Sequence, residues 1–214
     1  MARTRIKICG IRDDDALAAA VAAGADAVGF NFVKSSVRYI EPGEADRLVQ
    51  MLPPLVVGVG VYVNPVYDEF CDIEEQCPFL AFSQLHGNEG VKTVKQCGPD
   101  VIKAIRFDAA TIAAELLEWA KVEEVAAILI DGGNGGEGKT VDWQKLADAL
   151  SDNELPVFLA GGLTPNNVGE AIRIVRPYAV DVASGVESDP GVKDAELIEA
   201  FCKAVREADA AGDE

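Results

Sequence analysis

The first residues that could carry chemistry are Lys7 and Cys9, in the stretch Ile6-Lys7-Ile8-Cys9-Gly10 near the start of the chain. The pattern predicts a short buried strand that stops at the glycine, and alternation along a strand places the ammonium and the thiol on one face. A thiol beside a cation can ionise to a thiolate, which can take a proton. A free cysteine is more often a small buried hydrophobic residue, so the strand alone leaves both interpretations open.

A carboxyl group ends a second apolar run, Ala126-Ala127-Ile128-Leu129-Ile130-Asp131. Burying an ionised carboxylate is costly, so Asp131 either caps a turn or has a role that tolerates a proton on its carboxyl group. A thiol and a carboxyl group suit general acid–base chemistry if their surroundings favour opposite protonation states. We expect Lys7 to favour the Cys9 thiolate and the apolar strand end to keep Asp131 protonated.

Two glycine-rich turns late in the chain point to an anion. They contain Gly161-Gly162 and Ser184-Gly185, and each follows an apolar run. Glycine lets backbone N–H groups approach a phosphate closely, and an acidic protein can hold an anion with such uncharged donors. Two such turns at successive strand ends predict a phosphate site.

Three further polar residues are candidates for the lining of a binding site. Arg38 lies in a basic stretch of an acidic protein, and its planar fork suits a carboxylate, although a solvent-exposed surface arginine is the alternative. Gln84 and His86 share one face of an apolar run. His86 is the sole histidine, which excludes metal sites built from two or three imidazoles, but a lone strand histidine is commonly a hydrogen-bonded core residue.

The segment from Gly133 to Thr140 matches the spacing Gly-x-x-x-x-Gly-Lys-Thr of a nucleotide-binding loop. Such a loop follows a strand near the start of its domain and leads directly into a helix. This segment comes late and beside an acidic residue, so the nucleotide interpretation is disfavoured.

The 214 residues include 36 acidic and 19 basic side chains, which gives a formal net charge of −17. This charge disfavours nucleic acid and anionic membranes as partners, because both need a basic face. Five cysteines without a Cys-x-x-Cys pair indicate free thiols. No apolar run is long enough to span a bilayer, and the first residues do not resemble a signal peptide, so we expect a cytoplasmic protein.

Eight strand-like runs alternate with eight amphipathic helical stretches, at a spacing of roughly 27 residues. The predicted strands span 3–9, 27–32, 55–63, 80–87, 101–107, 125–131, 156–161 and 179–184. The predicted helices span 13–23, 43–52, 66–76, 89–97, 109–121, 142–150, 165–175 and 194–208. Asp13 and Thr164 are the expected N-caps, the latter followed by Pro165 at the first helical position.

This alternation predicts the α/β class, and eight parallel strands close most economically into a (β/α)8 barrel. We expect a single domain over residues 1–214, with the residues after Ala208 frayed. A doubly wound open sheet would normally show Gly-x-Gly-x-x-Gly after the first strand, and the sequence after Gly10 does not. In a barrel, chemistry collects at the carboxyl ends of the strands.

Taken together, several motifs resemble the phosphoribosylanthranilate isomerase family. They are Lys-Ile-Cys-Gly-Ile in the first strand, Ser-x-Arg-Tyr-Ile around Arg38, Gly-Val-Tyr-Val-Asn in the third strand, Gln-Leu-His-Gly at 84–87, and a glycine-rich loop ending in Lys-Thr-Val-Asp-Trp. The resemblance extends from Lys7 to Asp194 and implies a (β/α)8 barrel. The chain departs from the family pattern at Gly132, Glu137 and Ala183, positions where the family usually has hydroxyl or small residues.

The resemblance implies an Amadori rearrangement in tryptophan biosynthesis. N-(5-phosphoribosyl)anthranilate opens its ribose ring and becomes 1-(2-carboxyphenylamino)-1-deoxyribulose 5-phosphate, which needs an acid for the ring oxygen and a base for the C2 proton. Asp131 is the expected acid and Cys9 the expected base. No cofactor or metal is required, and the partner is this small phosphorylated substrate.

The resemblance also implies the roles of the remaining site residues. Arg38 meets the anthranilate end of the substrate, and the substrate-binding residues Gln84, His86 and Asp181 line the pocket. The phosphate-binding residues are Gly161, Gly162, Ser184 and Gly185. Asp181 is also expected to pair with Lys7 inside the barrel, because a buried ammonium needs a counter-ion. Both a monomer and a homodimer are compatible with the sequence, and its acidity suggests a halophilic archaeal source.

Two other functions fit parts of the pattern. A sugar-phosphate isomerase of the triosephosphate type could use Lys7, His86 and Asp131, but it has no evident use for Cys9 or Arg38. A non-catalytic phosphate-binding barrel would keep the two glycine turns but would have no reason to carry both the thiol and the strand-end acid.

Overall fold

The computed structural model describes residues 3–132, 142–151 and 153–212. Its eight parallel strands follow one another around a closed barrel, and the first strand pairs with the eighth. The strands are β1 (Arg5–Cys9), β2 (Ala27–Asn31), β3 (Val57–Tyr62), β4 (Phe82–Leu85), β5 (Val101–Arg106), β6 (Val125–Asp131), β7 (Val157–Ala160) and β8 (Ala179–Val182). The helices are α1 (Asp14–Ala22), α2 (Pro42–Val49), α3 (Tyr67–Gln76), α4 (Val91–Cys97), α5 (Ile112–Trp119), α6 (Trp143–Ala149), α7 (Val168–Val175) and α8 (Ala195–Ala211). The predicted (β/α)8 barrel is confirmed.

The two expected N-caps have different outcomes. The Asp13 carboxylate accepts a hydrogen bond from the Ala16 N–H at 2.8 Å, which confirms it as the cap of α1. The expected cap at Thr164 is wrong, because α7 begins only at Val168. The side-chain oxygen of Asn167 accepts the Thr164 N–H at 2.8 Å, which holds these residues in a turn ahead of the helix.

The chain's last helix is longer than expected, since α8 extends past Ala208 to Ala211. The part of the fraying prediction that concerns residues 213–214 lies outside the described residues. So does the segment with the nucleotide-loop spacing, together with Glu137. In the described part of the chain, no helix combines the length and the apolar character that a bilayer crossing requires.

The hydrophobic core has two layers. The larger one packs the outer faces of the strands against the helices. The smaller one fills the barrel interior with mostly small side chains, namely Ala27, Val59, Ile102, Ala104, Ala127, Leu129 and Ala160. Alternation along each strand separates these two sets, and small inward residues leave space at the carboxyl ends of the strands.

An antiparallel hairpin between β8 and α8 was not predicted. It consists of β9 (Glu187–Asp189) and β10 (Val192–Lys193), and it follows a single 3-10 turn at Ser184–Val186. Its tip is at Gly191, which has a φ of +83°. A Cβ atom at this glycine would lie 2.6 Å from the carbonyl oxygen of Val37, so the hairpin tip packs closely on the loop that follows β2.

Candidate active site

A cavity of about 590 Å³ opens at the carboxyl ends of the barrel strands. All ten residues predicted for the site contribute to its lining: Cys9, Arg38, Gln84, His86, Asp131, Gly161, Gly162, Asp181, Ser184 and Gly185. Their convergence follows from the barrel, because parallel strands present their carboxyl ends at one face. The role of each residue in this cavity stays a prediction.

A buried ion pair lies inside the barrel, and its carboxylate partner Asp181 lines the cavity. Lys7 is fully buried, and its Nζ lies 2.7 Å from Oδ1 of Asp181, its register partner on β8. The expected pairing is confirmed. Burial alone would lower the pKa of Lys7, but Asp181 and the neighbouring Cys9 outweigh it, and the pKa is raised. The barrel interior therefore holds a fixed ammonium next to the Cys9 thiol.

The Cys9 thiol lies against this ammonium at the end of β1. A Cβ atom at Gly29 on β2 would lie 2.8 Å from the Cys9 Sγ and 3.1 Å from the Lys7 Nζ, so both atoms occupy the space that a side chain would fill. Burial raises the pKa of Cys9, Lys7 opposes this shift, and the net pKa is raised. Lys7 favours the thiolate, as expected, but burial outweighs its effect on the pKa of Cys9.

Asp131 lies at the open end of β6, where its side chain is 34% exposed. The His86 Nε2 is 3.1 Å from Oδ2 of Asp131, and the His86 Nδ1 is 2.8 Å from the buried amide nitrogen of Gln84. Because that amide nitrogen donates to Nδ1, the proton of the neutral imidazole is on Nε2 and points to the carboxyl group. Because its side chain is one-third exposed, the expected burial of Asp131 in an apolar strand end is wrong.

The two glycine turns approach each other closely beside Asp131. Gly161 and Gly162 have φ values of +86° and +67°, which favour glycine. A Cβ at Gly161 would lie 2.5 Å from Oδ1 of Asp131, and a Cβ at Gly185 would overlap the carbonyl oxygen of Leu163. This close packing of backbone around one edge of the cavity is the geometry in which amide groups can surround an anion.

Arg38 lines the cavity and is held by a residue that the sequence did not single out. Its Nε and Nη2 each lie 2.7 Å from an oxygen of Glu187 on β9, in a two-point ion pair. The Lys193 Nζ lies 2.8 Å from the same Glu187 carboxylate. The signal in the sequence was an acidic residue directly after the turn that contains Ser184 and Gly185. Arg38 is thus fixed in place and is not a solvent-exposed surface arginine.

Comparison with known proteins adds independent findings. The family model of N-(5'-phosphoribosyl)anthranilate (PRA) isomerase matches residues 6–204. An N-(5'-phosphoribosyl)anthranilate isomerase from Myxococcus xanthus is 42% identical over 205 residues, which is 94% of this chain and 96% of that protein. This relative and an isomerase from Trichlorobacter lovleyi, 41% identical over 95% of this chain and 98% of that protein, are bacterial, so the expected archaeal source is not supported.

Two solved structures resemble the barrel over nearly its whole length. The phosphoribosyl anthranilate isomerase of Thermotoga maritima has a TM-score of 0.86 and 38% identity, over 95% of this chain and 99% of that one. A phosphoribosyl anthranilate isomerase in complex with reduced 1-(o-carboxyphenylamino)-1-deoxyribulose 5-phosphate has a TM-score of 0.84 and 37% identity, with the same coverage.

Proposed function

The chain belongs to the N-(5'-phosphoribosyl)anthranilate isomerase family, and we propose that its Cys9 and Asp131 carry out the proton transfers of that reaction. The protein is an isomerase of tryptophan biosynthesis that converts N-(5'-phosphoribosyl)anthranilate to 1-(o-carboxyphenylamino)-1-deoxyribulose 5-phosphate. One observation carries the assignment of roles. The thiol and the carboxyl group line the same cavity from β1 and β6, with the two glycine turns after β7 and β8 between them on the barrel wall.

The proposed reaction begins at Asp131. Its carboxyl group donates a proton to the ring oxygen while the bond from that oxygen to C1 breaks and the anthranilate nitrogen forms a double bond to C1. The thiolate form of Cys9 then removes the C2 proton. The electrons of that C–H bond form the C1–C2 double bond of an enolamine, and the electrons of the C1–N double bond return to nitrogen. Tautomerisation of the enolamine moves the proton of its C2 hydroxyl to C1 and gives the ketone. Asp131 ends this sequence as a carboxylate and Cys9 as a thiol.

Cys9 acts as a base after its thiol has released a proton to solvent, and the buried ion pair of Lys7 and Asp181 supports this ionisation. When the thiolate forms, its charge is next to the Lys7 ammonium in a region with little water, where ionic interactions are strong. The His86 N–H that points to Asp131 supports the role of Asp131, because it stabilises the carboxylate that remains after the proton has left.

We place the substrate so that its phosphate lies at Gly161, Gly162, Ser184 and Gly185 and its ring carboxylate at Arg38. The close glycine turns support the first position, and the guanidinium that lines the same cavity supports the second. Gln84, His86 and Asp181 then line the space around the ribose. This pose puts C1 and C2 between Asp131 and Cys9.

The change in anthranilate fluorescence on consumption of the aminated substrate tests the reaction class. The wild-type protein should abolish the fluorescence of N-(5'-phosphoribosyl)anthranilate in a reaction that depends on enzyme concentration. It should leave glyceraldehyde 3-phosphate unchanged in a coupled assay. The opposite pattern would support the triosephosphate-type alternative, and binding of inorganic phosphate without turnover of either substrate would support a non-catalytic barrel.

Four further proposals concern the domain organisation, the cellular compartment, the surface charge and the oligomeric state. We propose that residues 1–214 fold as one domain, which the pairing of β1 with β8 supports. A biosynthetic role supports the cytoplasm as the compartment. We propose that the net charge of −17 is an adaptation to concentrated salt, separate from any assignment of source. Sedimentation at micromolar concentration decides between a monomer and a homodimer.

A further inference from the structure

The hairpin after β8 contains a buried charge cluster outside the proposed acid–base pair. The Glu187 side chain is only 3% exposed, yet it is ionised. Burial would raise its pKa, but the hydrogen bonds from Arg38, Lys193 and the Gly191 N–H outweigh this and hold the pKa at about 2. A buried carboxylate with three donors is a rigid anchor, because each of its bonds is charge-assisted or constrained by the hairpin backbone.

This anchor occupies one particular edge of the Arg38 guanidinium. Glu187 accepts from Nε and Nη2, at 2.7 Å each. A guanidinium has five N–H groups in a planar fork, so this pair uses two of them and leaves the end edge, formed by Nη1 and Nη2, for another partner. The end edge can hold both oxygens of a second carboxylate in the same plane.

The rest of Arg38 is fixed from two further directions. Its backbone N–H donates to the Ser36 Oγ at 3.1 Å. Its side-chain stem lies over Gly10, where an added Cβ would be 2.7 Å from the Arg38 Cδ. The hairpin tip at Gly191 packs on the carbonyl oxygen of Val37, so the anchor and the loop that carries Arg38 cannot move independently.

We propose that Glu187 is a positioning residue that sets the substrate specificity of this site, by aiming the end edge of Arg38 at the ring carboxylate of the substrate. This inference rests on the proposed function. Lys193 stabilises the anchor, since its Nζ also donates to the Ala183 carbonyl oxygen at 2.8 Å, next to the turn proposed for the phosphate. Glu187 thereby connects Arg38, through Lys193, to the chain just before that turn.

A different role for Glu187 would predict the opposite change in the binding of an anionic ring when the carboxylate is removed. If the carboxylate only neutralised Arg38, its removal would leave a stronger positive charge and tighter binding of an anionic ring. If the carboxylate positions Arg38, its removal loses two directed, charge-assisted hydrogen bonds. Such hydrogen bonds contribute more to the free energy of binding than the attraction between partly exposed charges, because salt screens that attraction.

The test compares two ligands by calorimetry at 0.15 M and 1 M salt, roughly the range over which screening becomes strong. One is reduced 1-(o-carboxyphenylamino)-1-deoxyribulose 5-phosphate, and the other is the same molecule without the ring carboxylate. The ratio of their dissociation constants measures carboxylate recognition. We expect the wild type to favour the carboxylated ligand by roughly 10- to 100-fold, and Glu187→Gln to reduce this preference to below about 3-fold with little change for the other ligand.

Two further variants control for damage to the fold. Glu89→Gln removes another buried carboxylate, which lies on the loop after β4 and is paired with Lys103 at 2.7 Å, and it should keep the wild-type preference. Gly191→Ala changes no charge but pushes the hairpin tip away from Val37, so it should lower the preference even if Glu187→Gln fails to fold.

Three results would contradict parts of this proposal. An unchanged or increased preference in Glu187→Gln, or in Gly191→Ala if the first variant does not fold, would overturn the positioning role. A wild-type preference near one would overturn it as well, because Arg38 would then not be recognising the carboxylate. Turnover of N-(5'-phosphoribosyl)anthranilate is measured on the same wild-type sample. Its absence would contradict the proposed function itself, independently of the ligand ratio.

Discussion

The Nζ of Lys7 lies 2.7 Å from Oδ1 of Asp181, across the seam where β1 and β8 close the barrel. Both side chains are buried, at 0% and 8% exposure. This one ion pair joins the first and last strands of the barrel, and it also provides the charge beneath the Cys9 thiol.

Asp181→Asn should destabilise the fold strongly, because it leaves the Lys7 ammonium buried without a counter-ion. We expect the free energy of unfolding in denaturant to fall by about 3–5 kcal/mol. The double variant Lys7→Met/Asp181→Leu should recover most of that loss. Asp14→Asn, which breaks an exposed ion pair with Arg47, should have a much smaller effect. Equal losses for Asp181→Asn and Asp14→Asn would show that the buried pair contributes little.

The raised pKa of Cys9 makes its thiolate scarce in the free protein at neutral pH. Alkylation by iodoacetamide requires the thiolate, so the rate of modification at Cys9 should still be rising above pH 9. Mass spectrometry of the Cys9 peptide measures that rate, and saturating reduced product analogue should suppress it. A rate that reaches its plateau below pH 7 would contradict the account of the buried thiol.

The sequence predicted most of this geometry, because it follows from the alternation of side chains along each strand and from the repeat of strands and helices around the barrel. Alternation placed Lys7 and Cys9 on the inner face of β1, and the barrel closure then put Asp181 beside Lys7. Glu187 was missed because β9 and β10 have three and two residues, too few for any periodic pattern. Their partner Arg38 lies 149 positions away in the chain.

Other errors also have local causes. The Thr164-Pro165 pair has the composition of a helix start, but the Asn167 side chain turns the chain there before the helix begins. The burial of Asp131 was misjudged because an apolar run shows that a strand is buried, but not at which residue the strand emerges into the cavity.

His86→Leu should slow the reaction, because it removes the N–H that orients Asp131 and stabilises its carboxylate. We expect kcat to fall by roughly 10- to 100-fold with a smaller change in KM. Asn88→Ala, which changes another residue of the same cavity wall, provides the matched control. An effect of His86→Leu on KM alone would indicate that the imidazole binds substrate and does not act through Asp131.

The melting temperature should rise by several degrees between dilute and molar potassium chloride. At about 1 M salt the screening length is near 3 Å, so repulsion among the surface acids is largely removed. Thermal unfolding in each buffer measures the shift. A betaine solution of equal osmolarity controls for exclusion effects that do not involve charge. Equal melting temperatures in dilute and molar salt would reject the proposed salt adaptation.

The division of labour between Cys9 and Asp131 is the central claim. Cys9→Ser replaces the thiol with a hydroxyl that is far harder to deprotonate, and Asp131→Asn keeps the shape of the side chain without an acidic proton. Both variants should still bind the reduced product analogue, because neither removes a proposed contact to its phosphate or its carboxylate. Cys71→Ser and Asp108→Asn, which lie outside the cavity lining, are the controls.

The most direct measurement is kcat for N-(5'-phosphoribosyl)anthranilate in these four variants and the wild type, followed by anthranilate fluorescence in high salt. We predict that Cys9→Ser and Asp131→Asn each lower kcat by at least roughly 100-fold, whereas Cys71→Ser and Asp108→Asn stay close to the wild type. Wild-type turnover in Cys9→Ser or in Asp131→Asn would contradict the account, because another group would then carry that proton.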